Sequence, residues 1–396
     1  MNGRLLVQCD WDQSYRDGTG SFWISYKNAE QPAVHSHVRV TKRNDGKIIL
    51  TADLPAFNIS QHTSSQLSVG YYENGVVQAS TTFRAPTNEF HFHGKNKKVT
   101  CLDISEGGLG LSCAENSSIV KVWETQSGTV RRELRGHVGD VYRAKFFPSG
   151  LVVLSGGADT QLKIWSVETG DCAATLLGHK AGVLDFEFVE RGRNIVSCSR
   201  DGTIRLWDVS EQHVIHSYGS DTGHGIVNAC TLRQTEAFDL QEVNGCSGDS
   251  GEVGTEKKLL LAALELGKIV GYGLASKQKL VEVASPDASA VNCVTFLTDE
   301  SFVAGTQGGS VTVYDLRNLS SAVKSWSTTR SAVLSVTPYK QGFLYSTGDG
   351  SAVCVDETLS QSYEFTGADC DPIYQLRRGS NRVYSCCRDG AVRVYL

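Results

Sequence analysis

Several features that mark other protein classes are missing or scarce in this sequence. No apolar run approaches the roughly 20 residues of a membrane-spanning helix. The first residues, MNGRLLVQCDWDQ, are too poor in apolar side chains for a signal peptide. Only 7 of the 396 residues are proline, and the 12 cysteines form no CxxC pair. We therefore predict a protein of the cytosol or nucleus that has reduced thiols and makes no membrane contact.

Charge and motif content exclude further classes of function. The net charge is −5 and the sequence pI is about 6.1, whereas a general nucleic-acid-binding protein is usually basic. There is no P-loop. The pairs His35/His37 and His91/His93 have no cysteine or acidic cluster near them in sequence to complete a zinc site, so we interpret them as surface residues of strands. The sequence thus predicts no cofactor, no metal and no catalytic residue, and favours a binding scaffold over an enzyme.

What the sequence does contain is a repeat. Its 40 glycines indicate many short strands joined by tight turns. Trp123, Trp165 and Trp207 are 42 residues apart, a period typical of a four-stranded propeller blade. Further along the chain the same position is occupied, in register, by Tyr272, Tyr314, Val355 and Tyr395. The interval before Tyr272 is longer by an acidic, Gly/Ser-rich insertion at 233–256, which is either a solvated loop or a contact for a basic partner.

These repeats predict an all-β fold with two parts. We expect a small β-rich N-terminal domain over 1–75 and a seven-bladed WD-repeat β-propeller over 76–396. The last repeat stops after its third strand, so a strand from before the first repeat must supply the fourth and close the ring. We predict that Val76–Arg84, with the sequence VVQASTTFR, is this strand.

Two repeats also carry a polar signature with constant spacing. A histidine is followed by an aspartate after 22 residues and by the tryptophan after 6 more. A buried indole N–H needs an acceptor, so we predict that these residues and a serine of the second strand are linked by hydrogen bonds. The pairing occurs twice at the repeat period, whereas a catalytic pair would occur once, and we therefore interpret it as structural. The predicted tetrads are His137, Ser155, Asp159 and Trp165, and His179, Ser197, Asp201 and Trp207.

The loops on one face of the ring are the predicted binding surface. In a propeller, that face exposes the residues at the start of each first strand and just before the turn that carries the aspartate. A mixture of acids, arginines and tyrosines there suits a protein partner, although an ordinary solvated rim has a similar composition. By register the rim residues are Asp140, Tyr142, Arg200, Glu265, Gln307, Asp371, Tyr374 and Arg388.

Several segments resemble one family, that of the proteasomal ATPase-associated factors. Three of them overlap the repeat signature, at 101–112, 146–166 and 190–208. Three more lie outside that signature and are more specific: EVGTEKKLLLA at 252–262, FTGADCDPIYQ at 365–375 and CCRDGAVRVY at 386–395. The resemblance spans the propeller, whereas residues 1–75 match only loosely.

The resemblance implies an assembly chaperone of the proteasome regulatory particle. Such a protein would be cofactor-free and non-catalytic, would bind ATPase subunits of the base and would limit their association with the core particle. We expect it to be a monomer on its own. The resemblance also implies that the acidic rim faces a basic C-terminal domain of an ATPase subunit, with Asp140, Glu265, Asp369 and Asp371 as candidates. The alternative is a substrate receptor of a ubiquitin ligase that reads a phosphorylated peptide, for which the rim offers Arg200 and Arg388.

Overall fold

The computed structural model describes residues 3–28, 31–94, 97–219, 225–238, 251–328 and 331–396. Strands dominate these ranges, and the N-terminal part contains a single short helix among its described residues. The elements before the first repeat are β1 (Gly3–Val7), α1 (Trp11–Asp17), β2 (Ser21–Asn28), β3 (Val34–Lys42), β4 (Ile48–Ala52), β5 (Phe57–His62), β6 (Gln66–Glu73), β7 (Val76–Arg84) and β8 (Asn88–Phe90). No helix in the described ranges is long and apolar enough to cross a membrane.

The repeats form seven antiparallel blades. Blade 1 contains β9 (Val99–Ile104), β10 (Leu109–Ala114), β11 (Ile119–Glu124) and β12 (Val130–Arg135). Blade 2 contains β13 (Val141–Phe146), β14 (Val152–Gly157), β15 (Leu162–Ser166) and β16 (Cys172–Leu176). Blade 3 contains β17 (Val183–Val189), β18 (Asn194–Ser199), β19 (Ile204–Asp208) and β20 (His213–Tyr218). Blade 4 contains β21 (Val227–Gln234), β22 (Lys258–Leu264), β23 (Lys268–Gly273) and β24 (Lys279–Ala284).

The last three blades follow the same order. Blade 5 contains β25 (Val291–Phe296), β26 (Ser301–Thr306), β27 (Ser310–Asp315) and β28 (Lys324–Ser327). Blade 6 contains β29 (Val333–Tyr339), β30 (Gly342–Thr347), β31 (Ala352–Val355) and β32 (Gln361–Phe365). Blade 7 contains β33 (Ile373–Arg378), β34 (Val383–Cys387) and β35 (Val392–Tyr395). The first strand of each blade contacts the first strand of the next, and β33 contacts β9, so the ring is closed. The predicted WD-repeat propeller is confirmed.

The tryptophan position has the same place in every blade, which explains why its period is readable. It lies on the third strand opposite the beginning of the second strand: Trp165 pairs with Val153, and Tyr314 pairs with Phe302. All seven residues at this position are buried between neighbouring blades. A large apolar side chain is needed there to fill the space between two sheets, and tyrosine or valine meets that need with less volume.

The ring is closed by a different strand from the predicted one. β8, only three residues long, pairs antiparallel with β35 and supplies the fourth strand of blade 7. Just before it, Thr87 N donates to Val394 O at 2.7 Å. The predicted strand, Val76–Arg84, does form as β7, but it pairs in parallel with β32 at the outer edge of blade 6. Its β-rich sequence therefore predicted a strand correctly and its partner wrongly.

The N-terminal domain continues past the predicted boundary at residue 75. β5, β6 and β7 extend blade 6 into a seven-stranded sheet, and β1 to β4 form a second sheet beside them. Phe83 and Ala85 belong to the same buried cluster as Trp11 and Phe22. Because this apolar core includes residues of β7 and just beyond it, the domain ends at about Ala85.

Polar contacts fix this domain against the propeller. Arg4 Nη2 lies 2.6 Å from Glu364 Oε1, and Arg4 also pairs with Asp349 at 3.5 Å. The indole of Trp11 donates to Thr366 Oγ1 at 3.2 Å. The domain therefore lies along blade 6 and beside the loop that leads into blade 7.

The predicted acidic insertion is described only at its two ends. Residues 239–250, and with them half of its acidic side chains, lie outside the described residues. At the far end, Gly251 O accepts a hydrogen bond from Asn194 Nδ2 at 3.0 Å, and Val253 N donates to Asn194 Oδ1 at 2.6 Å. This end of the insertion is therefore attached to blade 3.

Candidate functional site

Two kinds of loop meet on one face of the ring, which we call the top face. They are the segments leading into each first strand and the turns between each second and third strand. The opposite, bottom face carries the other two turns of each blade. The two tetrads lie just beneath the top face, at the loops that enter blades 2 and 3.

The structure brings together the four residues of each tetrad. In blade 2, His137 Nδ1 lies 2.8 Å from Asp159 Oδ2 and His137 Nε2 lies 2.6 Å from Ser155 Oγ. Trp165 Nε1 donates to the same serine oxygen at 2.8 Å. The blade 3 tetrad of His179, Ser197, Asp201 and Trp207 has matching distances of 2.9, 2.7 and 2.8 Å.

The tetrads also bind the loop backbone. Asp159 accepts a hydrogen bond from Val138 N at 3.0 Å, and Asp201 accepts one from Lys180 N at 2.8 Å. Burial lowers the pKa of His137 and His179, despite their aspartate neighbours. Burial would raise the pKa of Asp201, but hydrogen bonds from His179 and Thr203 lower it below its usual value. Each chain of hydrogen bonds thus anchors the loop that enters its blade.

Blade 1 has a related cluster that the spacing of the repeat signature did not predict. His93 Nε2 lies 2.9 Å from Ser112 Oγ, and burial, with a contribution from Lys121, lowers the pKa of His93 to about 4. Its interpretation as a surface strand residue is therefore wrong. Among the described residues Trp123 Nε1 has no hydrogen-bond partner. The serine position, which Ser112 shares with Ser155 and Ser197, was the available indication.

Half of the predicted rim residues meet at the centre of the top face. Tyr142, Arg200, Glu265 and Tyr374 line one cavity of about 570 Å³ at the mouth of the central channel. The Arg200 guanidinium lies 5.1 Å from the centre of the Tyr142 ring, a cation–π distance. Glu265 accepts a hydrogen bond from Asn228 Nδ2 at 2.9 Å. Four blades thus contribute one predicted residue each to this mouth.

The other predicted rim residues lie away from the lining of this cavity. Arg388 Nε is 3.9 Å from Asp371 Oδ1 beside blade 7. Asp369 is exposed in the loop before that blade and faces the N-terminal domain. There, burial and then Asp369 raise the pKa of Cys9 to about 11. Asp140 is half-buried, and its carbonyl accepts a hydrogen bond from Ala158 N at 2.8 Å. These three acids therefore lie in top-face loops outside the cavity lining.

Below the mouth, the channel wall holds charged residues that the rim prediction did not include. Arg143 Nε lies 2.8 Å from Asp185 Oδ1, and Lys145 Nζ lies 2.8 Å from Glu187 Oε2. Burial raises the pKa of Asp185, but Arg143 and Lys145 outweigh it and hold that pKa below its usual value. Burial lowers the pKa of Lys145, and Asp185 and Glu187 more than reverse this. The network therefore stays ionised at neutral pH and braces neighbouring blades.

These side chains suit recognition of a partner. Arginines and tyrosines at the centre of a concave face are common anchors of protein interfaces. In the described part of the chain, no group of three or more His, Cys, Asp or Glu side chains is arranged to hold a metal ion. Each tetrad histidine lies under a loop and meets an aspartate through Nδ1 and a serine through Nε2, so both of its ring nitrogens are engaged within the fold.

Comparison with known proteins agrees with this architecture. The family model described as "WD domain, G-beta repeat" matches residues 128–166 and 170–208. The Gallus gallus protein named "Proteasomal ATPase-associated factor 1" is 41% identical over 397 residues, covering 100% of this chain and 99% of that protein. The Homo sapiens protein of that name is 41% identical over 398 residues, with the same coverage.

A more distant relative extends the comparison beyond vertebrates. The Dictyostelium discoideum protein named "Probable proteasomal ATPase-associated factor 1" is 33% identical over 414 residues, covering 99% of this chain and 95% of that protein. The likeness includes the N-terminal domain as well as the propeller. The chain therefore belongs to the proteasomal ATPase-associated factor 1 family.

Proposed function

We propose that this protein is a non-catalytic scaffold that binds ATPase subunits of the proteasome regulatory particle through its top face. It acts as an assembly chaperone: while bound, it limits the association of those subunits with the core particle. It works as a monomer in the cytosol or nucleus. The observation that carries this proposal is the 41% identity, over the full length of the chain, to relatives whose names state association with proteasomal ATPases.

The arrangement of charge on the top face supports a basic partner. Asp140, Asp369 and Asp371 lie in top-face loops outside the cavity, and Glu265 lines the cavity. Carboxylates around a concave face attract a basic surface from a distance and steer its approach. Tyr142 and Tyr374 at the centre then supply contact area with little loss of side-chain freedom.

Two exposed hydrophobic side chains add to this surface. Val138, in the loop entering blade 2, is 80% exposed, and Leu266, next to Glu265, is 63% exposed. Both belong to top-face loops that are held by backbone hydrogen bonds, Val138 to Asp159 and Gly267 N to Leu264 O. Preordered loops that present apolar side chains lose little entropy on binding.

Binding of purified ATPase subunits to the full-length protein tests the proposal. The double variant Glu265→Lys/Asp371→Lys should weaken binding of the subunit that associates, because it reverses two charges on the top face. The matched control Glu106→Lys/Asp171→Lys makes the same charge change on bottom-face turns and should bind as the unmodified protein does. Both variants should retain the thermal unfolding midpoint.

The possible outcomes separate two classes of protein. Association with ATPase subunits and not with ubiquitin-ligase adaptors supports the chaperone. Association with adaptors alone would identify a ligase substrate receptor and end the proposal. Unchanged affinity of the double variant would end the top-face assignment while leaving ATPase binding intact.

A further inference from the structure

The wall of the central channel differs between two parts of the ring. At the third residue of the first strand, blades 2 and 3 carry Arg143 and Asp185, whereas blades 4, 5 and 6 carry Ala229, Cys293 and Ser335. The three small side chains leave open the cavity of about 570 Å³. That volume lies in the range of small-ligand sites. The ring thus has a recess with an arginine on one side and small side chains on the other.

Two of the three arginines that line the recess, Arg143 and Arg200, have N–H donors that are not used within the described part of the protein. Arg143 uses Nε to face Asp185 at 2.8 Å, and in the described ranges no hydrogen bond joins its Nη atoms to the protein. Arg200 stacks over Tyr142, and no ion pair is formed by it within the described residues. A guanidinium has five N–H donors in a planar fork that matches the two oxygens of a carboxylate or phosphate.

The charge balance of the recess also favours an anion. Three arginines line it, Arg143, Arg200 and Arg377, against the carboxylates of Asp185 and Glu265. Asp185 already pairs with Arg143 and Lys145, and Glu265 accepts a hydrogen bond from Asn228. Arg377 Nε lies 3.4 Å from Asp103 Oδ1, but burial and the repulsion from the nearby charge of Arg143 outweigh this pairing and lower the pKa of Arg377. An anion between the guanidinium groups would relieve this repulsion.

We propose that the recess is a binding site for a single anionic group, a carboxylate or a phosphate. Arg143 receives it in the depth of the channel, Arg377 adds charge from blade 7, and Arg200 contacts it from the mouth. The rings of Tyr142 and Tyr374 border the path into the recess. This proposal goes beyond ATPase binding: it concerns the arginines of the recess, although Tyr142, Tyr374 and Glu265 line the same cavity and belong to the surface proposed to bind the partner.

Isothermal titration calorimetry of the full-length protein with three probes tests the site. It also distinguishes the two possible ligands, a chain-end carboxylate and a free phosphate. The probes are inorganic phosphate, an N-acetylated tripeptide with a free C-terminal carboxylate, and the same tripeptide as its C-terminal amide. We expect saturable one-to-one binding of at least one of the two anions, and none of the amide. Binding of the free acid identifies a chain-end carboxylate as the ligand, and binding of phosphate alone identifies a free phosphate.

Variants assign the binding to the recess. Arg200 is exposed and lies outside the ion-pair network. Arg200→Gln should lower the affinity for the bound anion by about tenfold, as expected for the loss of one charge-assisted hydrogen bond. Arg143→Lys keeps the charge and loses the fork, and should have a similar effect. The control Arg135→Gln, on the outer strand of blade 1, should leave affinity unchanged. The proposal would be overturned if neither anion showed saturable binding, or if Arg200→Gln and Arg143→Lys bound the anion as tightly as the unmodified protein and the control do.

Discussion

At the scale of single residues, the three tryptophan blades offer an internal comparison. Trp165 and Trp207 each donate to a serine that also meets a histidine, whereas Trp123 is equally buried and has no such bond in the described part of the chain. The polar links of blades 2 and 3 are therefore not required for a tryptophan to fill this position. They add the anchoring of a top-face loop, which a buried apolar side chain alone cannot supply.

This comparison predicts that the same Ser→Ala substitution lowers the free energy of unfolding by different amounts in blades 2 and 1. Ser155→Ala leaves both Trp165 Nε1 and His137 Nε2 without a partner, and should lower the free energy of unfolding by about 2–4 kcal/mol. Ser112→Ala removes only the contact to His93 and should cost about 1 kcal/mol. Urea unfolding measures both. Equal losses would mean that the tetrad links contribute nothing beyond packing.

His93 predicts a dependence of stability on pH. Its pKa is about 4 in the folded protein and about 6.5 in an unfolded chain. Between these pH values the unfolded state binds more protons than the folded state. The contribution of neutral His93 to the free energy of unfolding is therefore complete above pH 6.5 and is lost as the pH falls toward 4. In the variant His93→Gln, the slope of the free energy of unfolding against pH should correspond to about one proton fewer taken up on unfolding in this range.

The measurement is the free energy of unfolding in urea at several pH values. The matched control is His35→Gln, because His35 is exposed on β3 and its loss should leave the slope as in the unmodified protein. A slope that His93→Gln does not change would show that His93 takes up its proton as readily in the folded protein as in the unfolded chain.

At the scale of elements, the chain before the repeats serves two blades. β7 covers the outer edge of blade 6, and β8, which begins four residues later, completes blade 7. An uncovered outer strand exposes unpaired N–H and C=O groups, and an unclosed blade would do so at the point where the ring must join. Because Pro86 and its neighbours connect the two strands, docking of the N-terminal domain and closure of the ring are coupled.

Truncation separates these two contributions. A protein lacking residues 1–86 loses the domain and keeps β8, so it should still unfold cooperatively, at a lower temperature. A protein lacking 1–91 also loses β8 and should have a much lower midpoint or no cooperative transition. Circular dichroism during heating distinguishes them. Equal midpoints would show that β8 does not close the ring.

The contact of Arg4 with Glu364 predicts a large effect from one arginine. Burial raises the pKa of Glu364, and Arg4 counteracts this. Arg4→Met leaves that carboxylate buried and unpaired, and should cost about 3–5 kcal/mol. Arg39→Met removes an exposed pair with Asp53, whose side chains are 70% and 51% exposed, and should cost less than about 1 kcal/mol. Chemical unfolding compares the two, and similar costs would contradict the anchoring role of Arg4.

At the scale of the whole molecule, the sequence predicted the features that repeat. Seven blades were countable because each fills the same space with Trp, Tyr or Val, at a spacing the fold must preserve. β8 was missed because three residues carry too little pattern, and pairing between distant strands is not visible in either strand alone. Arg143 and Arg377 were missed because the channel wall varies from blade to blade, so no period marks its charged positions.

The two faces of the ring also differ in the features that they carry. The top face gathers the acidic rim, the tyrosines of the mouth and the loops anchored by the tetrads. The N-terminal domain reaches the same face through Trp11 and Thr366. A partner seated on the mouth would therefore contact loops from most blades at once, while the bottom turns remain in solvent.

Hydrogen exchange of the full-length protein, alone and with its bound ATPase subunit, tests whether the partner binds to the top face. Backbone amides buried by a partner are protected from exchange. We predict new protection in the top-face segments 138–142, 199–203, 265–267 and 368–374, and none in the bottom turns 147–151 and 167–171. Protection confined to the bottom turns, or no protection on either face at saturating subunit, would show that the subunit does not bind to the top face.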